Sequence, residues 1–431
     1  MTDLTWRELG IELPRMLLPS RGADMEKWAV VACDQYTSEP EYWHRVEHFV
    51  GDAPSALRLI LPEALLSEDA AENAKREEGI VRAMEEYLQN GVFRTLPKGG
   101  MLVRRYLPCG VRTGLVLSFD LDRYDYSRGS TSLIRATEGT VEERVRARLS
   151  LRRRALIELP HILMLIDDPK KTVIEPLTNL DKSPEYDFAL MEGGGRISGT
   201  FLAEQDLLGA KHALSNLARE QSGRFGKPLL LYAMGDGNHS LAAAKAVWEE
   251  VKPSLTDEER ENHPLRFALC ELVNVHDDGI LFEPIHRLLT GVSPEAVHEI
   301  AYILAEQNGD VSIGPANAKQ PEFAHVLPFV ADGEQGAITV PCPVSRLAVA
   351  TLQNALEVYL KKSGAKIDYI HGDDTLKKLA SRKGALGFLL PAMEKADLFA
   401  TVILEGALPK KTFSMGEAQE KRYYLEARAL R

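Results

Sequence analysis

The stretch "LYAMGDGNHSLAAAKAVWEE", residues 231–250, decides how the rest of the chain is read. Leu231 to Met234 form an apolar run of strand character, Gly235 and Gly237 frame a turn, and the alanine-rich residues from Leu241 onward favour a helix. The turn itself holds Asp236, Asn238, His239 and Ser240. A strand that hands over to a helix through glycines presents the first helical amides, which have no intrahelical partner, at the end of a sheet. The helix dipole adds partial positive charge there, so the turn is expected to hold an anion. Gly235 and Gly237 are expected to take positive φ and to let a ligand approach the backbone. Asn238 and Ser240 offer hydrogen bonds, and His239 can donate to a phosphate or relay a proton. Asp236 repels phosphate and calls for a cation or for a role as a base. The same residues also suit an ordinary Asp-Gly-Asn turn with a polar helix cap, a reading that needs no ligand.

Outward from this stretch, strand-like and helix-like segments alternate. "KWAVVACDQY" (27–36) is an apolar run ending in polar groups, and Ser38 is a possible cap for the helix that follows. "SALRLILP" reads as a short strand. "SEDAAENAKREEGIVRAMEEYLQNG" reads as a long helix with Ser67 at its start and Gly91 beyond its end. "GGMLVRRYLPCGVRTGLVLSFDLDRYD" reads as a two-stranded hairpin, and Ile162 to Ile166 as a buried strand. The predicted fold class is α/β, with a mixed α+β arrangement as the alternative. The expected organisation is a region 1–310 carrying the GDGNHS turn and a smaller α/β region 311–431.

At 431 residues, 45% hydrophobic and 27% charged, the chain is an ordinary globular sequence long enough for two or three units. The net charge of −11 argues against a nucleic-acid partner, because phosphate backbones demand a positive surface. It leaves room for one small basic pocket. No apolar run reaches membrane-spanning length, and the N-terminus lacks the pattern of a signal peptide. Cys33, Cys109, Cys270 and Cys342 lie far apart without paired spacing, so neither a zinc ribbon nor a disulfide framework is expected, and the cytoplasm is the expected compartment.

The pieces "VVACDQYTSEPEYW", "ALRLILP", "MGDGNHSLAAA", "ELVNVHDDGILFEPIHRLL" and "GALGFLLPAM" followed by "LPKKTFSMGEA" occur in that order over most of the chain. In them the chain resembles the prokaryotic family catalogued as domain of unknown function (DUF) 1015. Many members of that family read Ala-Asp-Gly-His-His-Arg at the turn, which is similar to the phosphate loop of the ParB and sulfiredoxin-like superfamily. That superfamily includes kinases of free L-serine. The resemblance implies a ParB/sulfiredoxin-like core with additional strands and helices, and a phosphate site at Asp236, Gly237 and His239. The chain departs from the pattern at Asn238, where the family has histidine, and at Ser240, where it has arginine. A hydroxyl does not replace the bidentate grip of a guanidinium, so either another arginine substitutes or the activity is altered.

Other segments supply further candidates. The run "IRATEGTVEERVRARLSLRRRA" places Arg144, Arg148 and Arg152 on one helical face, and a solvated face is the simpler account for most of its arginines. Arg135 stands apart, in a polar segment with Thr137 and Glu138 that corresponds to a His-Glu-Arg-Thr motif of the family. The resemblance also puts His286 and Arg287 on a Pro-x-His-Arg-Leu motif, and Lys411 and Thr412 on a Met-Pro-x-Lys-Ser-Thr pattern, as phosphate contacts. His286 and Arg287 equally suit a satisfied interior histidine and an ion-pair member. Asp34 ends an apolar strand and is a reasonable general base, whereas neighbouring Cys33 has the character of packing. Asp167, Asp168, Asp277 and Asp278 suit turn openers better than metal ligands.

Together these readings predict a phosphotransferase acting on a small hydroxyl compound, with free L-serine the acceptor implied by the resemblance. Pyrophosphate or a nucleotide such as ADP or ATP is the expected donor and Mg²⁺ the expected metal. His239, Asp34 and Glu138 are the expected catalytic groups. Gly235, Asp236, Gly237, Asn238, Ser240, Arg135, His286, Arg287, Lys411 and Thr412 are the expected phosphate contacts. The alternative is a non-enzymatic regulatory protein that binds a nucleotide or phosphate at the same turn.

Overall fold

In the computed structural model, which describes residues 3–127, 129–226, 228–315 and 322–431, Tyr232–Asp236 is a strand and Asn238–Val251 a helix. The handover expected between them is present. The chain divides into two compact units, one made of Met1–Ile280 with Gly416–Arg431 and the other of Leu281–Met415. The expected boundary at 310 falls inside the second unit, just past the helix Ala296–Asn308.

The first unit is organised by an 11-stranded mixed sheet. Its principal strands are β1 (Phe93–Leu107), β2 (Gly110–Asp120), β3 (Tyr124–Asp125), β4 (Ile134–Arg135), β5 (Leu163–Ile166), β6 (Tyr186–Ala189), β7 (Arg196–Ala203), β8 (Tyr232–Asp236) and β9 (Phe267–Asn274). They lie in the order β6-β7-β1-β2-β9-β5-β8-β4-β3, with Ile11–Glu12 added to β2 and Arg15–Pro19 to β1. The β1–β2 pair is the predicted antiparallel hairpin. β5 runs parallel to β9 but antiparallel to β8, and β8 runs parallel to β4. Strands β5 and β9 are buried along their whole length, which accounts for the unbroken apolar character of β5, whereas β9 buries Glu271 and Asn274 among its apolar residues.

The helices used below are α1 (Ala70–Gln89), α2 (Glu142–Arg154) and α3 (Asn238–Val251). Helix α1 begins on Asp69, whose carboxylate accepts from Ala71 N–H at 2.8 Å, and not on Ser67. Gly91 follows its end with φ 69°, as expected. The segment expected to be a strand around Leu57 is a 3-10 turn, Ala56–Leu59. Ser55 caps that turn by accepting from Leu57 N–H at 3.2 Å, and Pro54 and Pro62 flank it, so a sheet ladder has little to join.

After leaving for the second unit the chain returns as residues 416–431 and packs back onto the first. Tyr423–Tyr424 pairs with Val30–Val31, and Arg428–Ala429 pairs with Ile157–Glu158. Arg422 fixes this return. Its buried guanidinium forms a short ion pair with Glu271 of β9, meets Glu426 at 2.5 Å, and donates to the carbonyl of Pro160 at 3.1 Å. Glu426 in turn accepts from the buried hydroxyl of Tyr186.

The second unit carries a 6-stranded antiparallel sheet in the order Ser312–Gly314, Glu334–Val340, His325–Ala331, Ala385–Phe388, His286–Thr290, Lys366–Ile370. The helices Ala296–Asn308 and Ala348–Ser363 bury Ile300, Leu304, Leu352 and Leu356 within it. The chain is thus a mixed α/β protein, with a mixed sheet in the first unit and, in the second, the antiparallel sheet of the α+β alternative.

Removing one partner of a buried ion pair leaves an uncompensated charge and typically costs about 3–5 kcal/mol. Arg422→Met should lower the unfolding free energy by roughly that much in urea denaturation, and adding Glu271→Gln should restore part of it. A loss within the range of surface substitutions would mean that the returning tail is held by something else.

Candidate functional site

Strand β8 is buried from Tyr232 to Met234 and then bulges at Gly235, where its register against β5 shifts. Of the two glycines expected to take positive φ, it is Gly237 that does so, at 75°. A Cβ at residue 237 would also lie 2.9 Å from Ile162 Cα, a backbone atom that cannot swing away. Glycine is therefore required on two grounds, and the sharp turn it permits starts α3 directly beneath β5.

Each polar side chain of the turn has a definite partner. One oxygen of Asp236 accepts from Gly237 N–H at 2.8 Å, and the other lies 3.3 Å from the ammonium of Lys421. Asn238 is held by β3 and by the segment after β4: it accepts from the Tyr124 hydroxyl at 3.0 Å and donates to Thr140 at 3.0 Å and to the Glu138 carbonyl at 3.4 Å. His239 is half-buried, and its Nε2 accepts from Val141 N–H at 3.2 Å, at the start of α2. Ser240 Oγ is 3.2 Å from His161 Nε2, and the other ring nitrogen of His161 is 2.8 Å from the Tyr424 hydroxyl.

A cavity of about 170 Å³ opens beside Ser240. Its wall is formed by α1, α2, α3 and the returning tail, and includes Arg148, His161 and Tyr424. Arg148 lies in a short ion pair with Glu63. Burial holds the imidazole of His161 below its ordinary pKa of 6.5, against the opposing influence of Asp34 and Asp236. Burial pushes the carboxyl of Asp34 upward, but His161, a hydrogen bond from Gln35 at 3.0 Å and Arg148 outweigh it and hold Asp34 below its ordinary value. Asp34 sits in a loop whose Tyr36 has φ 52°, a strained conformation for an aromatic residue. Burial and the Asp34 carboxylate push the neighbouring Cys33 thiol up to about 12, so it stays protonated, in keeping with packing rather than nucleophilic use.

The remaining sequence-derived candidates fall elsewhere. Arg135 is buried in β4, where its guanidinium donates to the carbonyls of Ser132, Pro228 and Leu229, and burial lowers its pKa. It ties loops to the sheet edge. His286, Arg287, Lys411 and Thr412 belong to the second unit. His286 accepts from Leu390 N–H at 3.1 Å through Nδ1, so Nε2 carries the proton facing Asp373 at 2.9 Å, and burial lowers its pKa. Arg287 donates to Gln353, to Ile285 carbonyl and to Lys410 carbonyl, with Tyr369 stacked on its guanidinium. The Thr412 hydroxyl donates to Pro409 carbonyl, and Lys411 is exposed with φ 58°. The Asp168 carboxylate accepts from Thr172 and Val173 amides, the turn-opening role expected of it.

Sequence reasoning missed Lys421, His161 and Tyr424. Lys421 and Tyr424 are separated from the turn by the whole second unit. His161 gave a local signal, a lone titratable side chain immediately before an entirely apolar strand.

The model of the family described as "Protein of unknown function (DUF1015)" matches residues 17–359. Similar solved structures include a mutant free serine kinase in complex with ADP, 11% identical, covering 73% of this chain and 92% of that one at a TM-score of 0.39. A conserved hypothetical protein from Pyrococcus furiosus is 10% identical and covers 72% of this chain and 90% of that one at a TM-score of 0.34. A C-terminally truncated SbnI from Staphylococcus aureus is 9% identical and covers 70% and 82% at 0.36. No curated protein sequence matches the chain. Among the described residues, no helix is long and apolar enough to cross a membrane.

Gly237→Ala combines a strained φ with a backbone clash and should cost about 1–3 kcal/mol, read by urea denaturation. A neutral result would mean that the turn can rearrange. For His161 the sign follows from its lowered pKa: below pH 6.5 the unfolded chain takes up a proton that the folded one resists, so stability falls as the pH drops. His161→Gln should flatten that part of the stability profile between about pH 7.5 and about pH 5.5. Identical slopes in the two proteins would contradict the burial of a neutral imidazole.

Proposed function

The chain belongs to the DUF1015 family, and we propose that it is a phosphotransferase acting on a small hydroxyl compound. The observation that carries this reading is the open N-terminus of α3, turned sharply at Gly237, with the ammonium of Lys421 beside it. Phosphoryl transfer asks the protein chiefly for positioning and for positive charge around the phosphoryl oxygens. The first amides of α3 and the helix dipole supply part of that charge, and Lys421 supplies a full cation. Lys421 thus answers the loss of the family's arginine at residue 240, and its pairing with Asp236 keeps it aimed at the turn before a phosphate arrives.

In this reading pyrophosphate or a nucleotide such as ADP or ATP places its phosphates at the amides of Asn238 and His239, which the turn at Gly237 presents. Asp34, kept ionised by its surroundings, orients the attacking hydroxyl and receives its proton; Glu138 is the second carboxylate offered by the loop before α2. Asn238 and His239 act through their backbone amides, while their side chains hold residues 138–141 against the turn. Among the described residues, no group of three or more His, Cys, Asp or Glu side chains gathers into a metal cage. Mg²⁺ that arrives on phosphate oxygens needs only one or two protein carboxylates, and Asp236, at the turn, is the residue that would hold it. Its contribution there is to neutralise charge on the phosphoryl group. The resemblance seen in the sequence makes free L-serine the first acceptor to test.

A second reading, a regulatory protein that binds nucleotide or phosphate without turnover, is favoured by one observation. The Asn238 and His239 side chains are already engaged in the fold, and a hydroxyl stands at residue 240.

Incubation with pyrophosphate, ADP or ATP, Mg²⁺ and a panel of alcohols including L-serine should yield a phosphomonoester by ³¹P NMR. Asp34→Asn should slow turnover by about 10²–10⁴-fold, and Lys421→Gln should weaken donor binding. Donor-dependent thermal stabilisation with no product from any acceptor would select the regulatory reading. Neither stabilisation nor product would end both.

A further inference from the structure

Resting on the phosphotransferase reading, we propose that the acceptor is a neutral alcohol with an apolar body, seated in the cavity behind the turn with its hydroxyl at Ser240 and His161. The cavity's size and lining argue for this first. Its volume of about 170 Å³ compares with the ~150 Å³ of an apolar protein cavity that takes up benzene. Leu59, Ile60, Met84, Leu151, Ile157 and Leu269 supply much of its wall, so the body of the occupant meets hydrocarbon.

Most of the charged groups at the wall already meet a partner. Arg148 pairs with Glu63; Arg152 and Arg428 share Glu158 at 2.7 and 2.6 Å; and Glu77 accepts from the Ser150 hydroxyl at 2.5 Å. Counting Arg428, which reaches Glu158 from outside the wall, three guanidinium groups balance three carboxylates, and Nε and Nη2 of Arg152 are left as buried donors without a hydrogen-bond partner. A zwitterion such as free serine would have to break one of these pairs to place its ammonium and carboxylate, and desolvating those charges against aliphatic side chains is costly.

The uncharged polar groups, by contrast, form one connected corner. Ser240 meets His161 at 3.2 Å, His161 meets Tyr424 at 2.8 Å, and the Tyr424 hydroxyl meets Cys33 Sγ at 3.1 Å. A hydroxyl entering there can both donate and accept. That corner adjoins the turn, because Ser240 lies in the first turn of α3 and Ile162, a wall residue, packs against Gly237. An alcohol held at this corner presents its oxygen towards the amides that would hold the donor phosphate. The serine at residue 240, which removes the family's guanidinium from this corner, keeps it uncharged.

The test is calorimetric titration of the full chain with benzyl alcohol, L-serine and pyrophosphate in turn. It is repeated on Ala244→Phe, which fills the cavity from α3, and on Ser240→Ala, which removes the hydroxyl while leaving the space. Benzyl alcohol should bind the wild type, lose at least about tenfold in affinity in Ala244→Phe, and weaken in Ser240→Ala, with pyrophosphate binding unchanged in Ala244→Phe. Benzyl phosphate should then appear when donor and Mg²⁺ are added. Binding of L-serine without binding of benzyl alcohol overturns this inference and leaves the phosphotransferase reading standing. Benzyl alcohol bound by a protein that binds neither pyrophosphate nor, in two further titrations, ADP or ATP overturns the phosphotransferase reading, and with it the role of acceptor. If Ala244→Phe does not fold, benzyl alcohol binding that is unaltered in Ser240→Ala overturns the placement of the hydroxyl.

Discussion

The buried guanidinium of Arg422, held between Glu271 and Glu426, is the constraint on which the first unit depends. It lies on a segment that reaches the sheet only after the chain has built a separate unit of residues 281–415. The sixteen-residue tail enters the core with buried apolar side chains, Tyr423, Tyr424, Leu425, Ala427 and Leu430, and its charged residues fix where it sits. The ion pairs set that position, because a carboxylate buried on β9 is tolerable only when a cation meets it. Glu271 therefore demands the tail as much as the tail is stabilised by Glu271. The neighbours of Arg422 are carried along: Lys421 reaches Asp236, and Tyr424 reaches His161.

This arrangement divides labour at the turn. Backbone geometry, set by the bulge at Gly235 and the left-handed conformation of Gly237, opens the helix terminus. The side chains of Asn238 and His239 secure the loop 138–141 against the turn. Charge comes from elsewhere, through Lys421. A site built this way keeps its polar groups ordered before any ligand is present, which lowers the entropy lost when one binds.

The electrostatics are local. A chain of net charge −11 nonetheless lines the space behind the turn with arginines, each paired with a carboxylate supplied by a different element: Glu63 before α1 and Glu158 after α2. The face of α2 that carries Arg148 and Arg152 is thus an inward-looking, neutralised wall, and its exposed members Arg146 and Arg153 pair with Glu142 and Glu250 at the surface. The two sets have the same residue type and lie on the same helix. Only their partners distinguish them, and partners are a property of the fold.

What the sequence determined by itself was local. The apolar run of β8, the helix-forming alanines after it and the two glycines between them were enough to establish strand, turn and helix, because each follows from side-chain sterics and backbone freedom over a few residues. The β1–β2 hairpin and the buried strand β5 were legible for the same reason, and the matches to the family's motifs ran the length of the chain. The 3-10 turn at Ala56–Leu59 was not legible, since a capping serine and flanking prolines overrode an apolar pattern that suits a strand equally well. Tertiary structure alone decided which side chains meet: it sent Arg135, His286 and Arg287 to carbonyls and interior partners, and it brought Lys421, Tyr424, Arg148 and His161 to the turn. Those encounters span up to a few hundred residues of chain, and long-range pairing of charges and hydroxyls leaves no periodic trace for a reader of the sequence to follow.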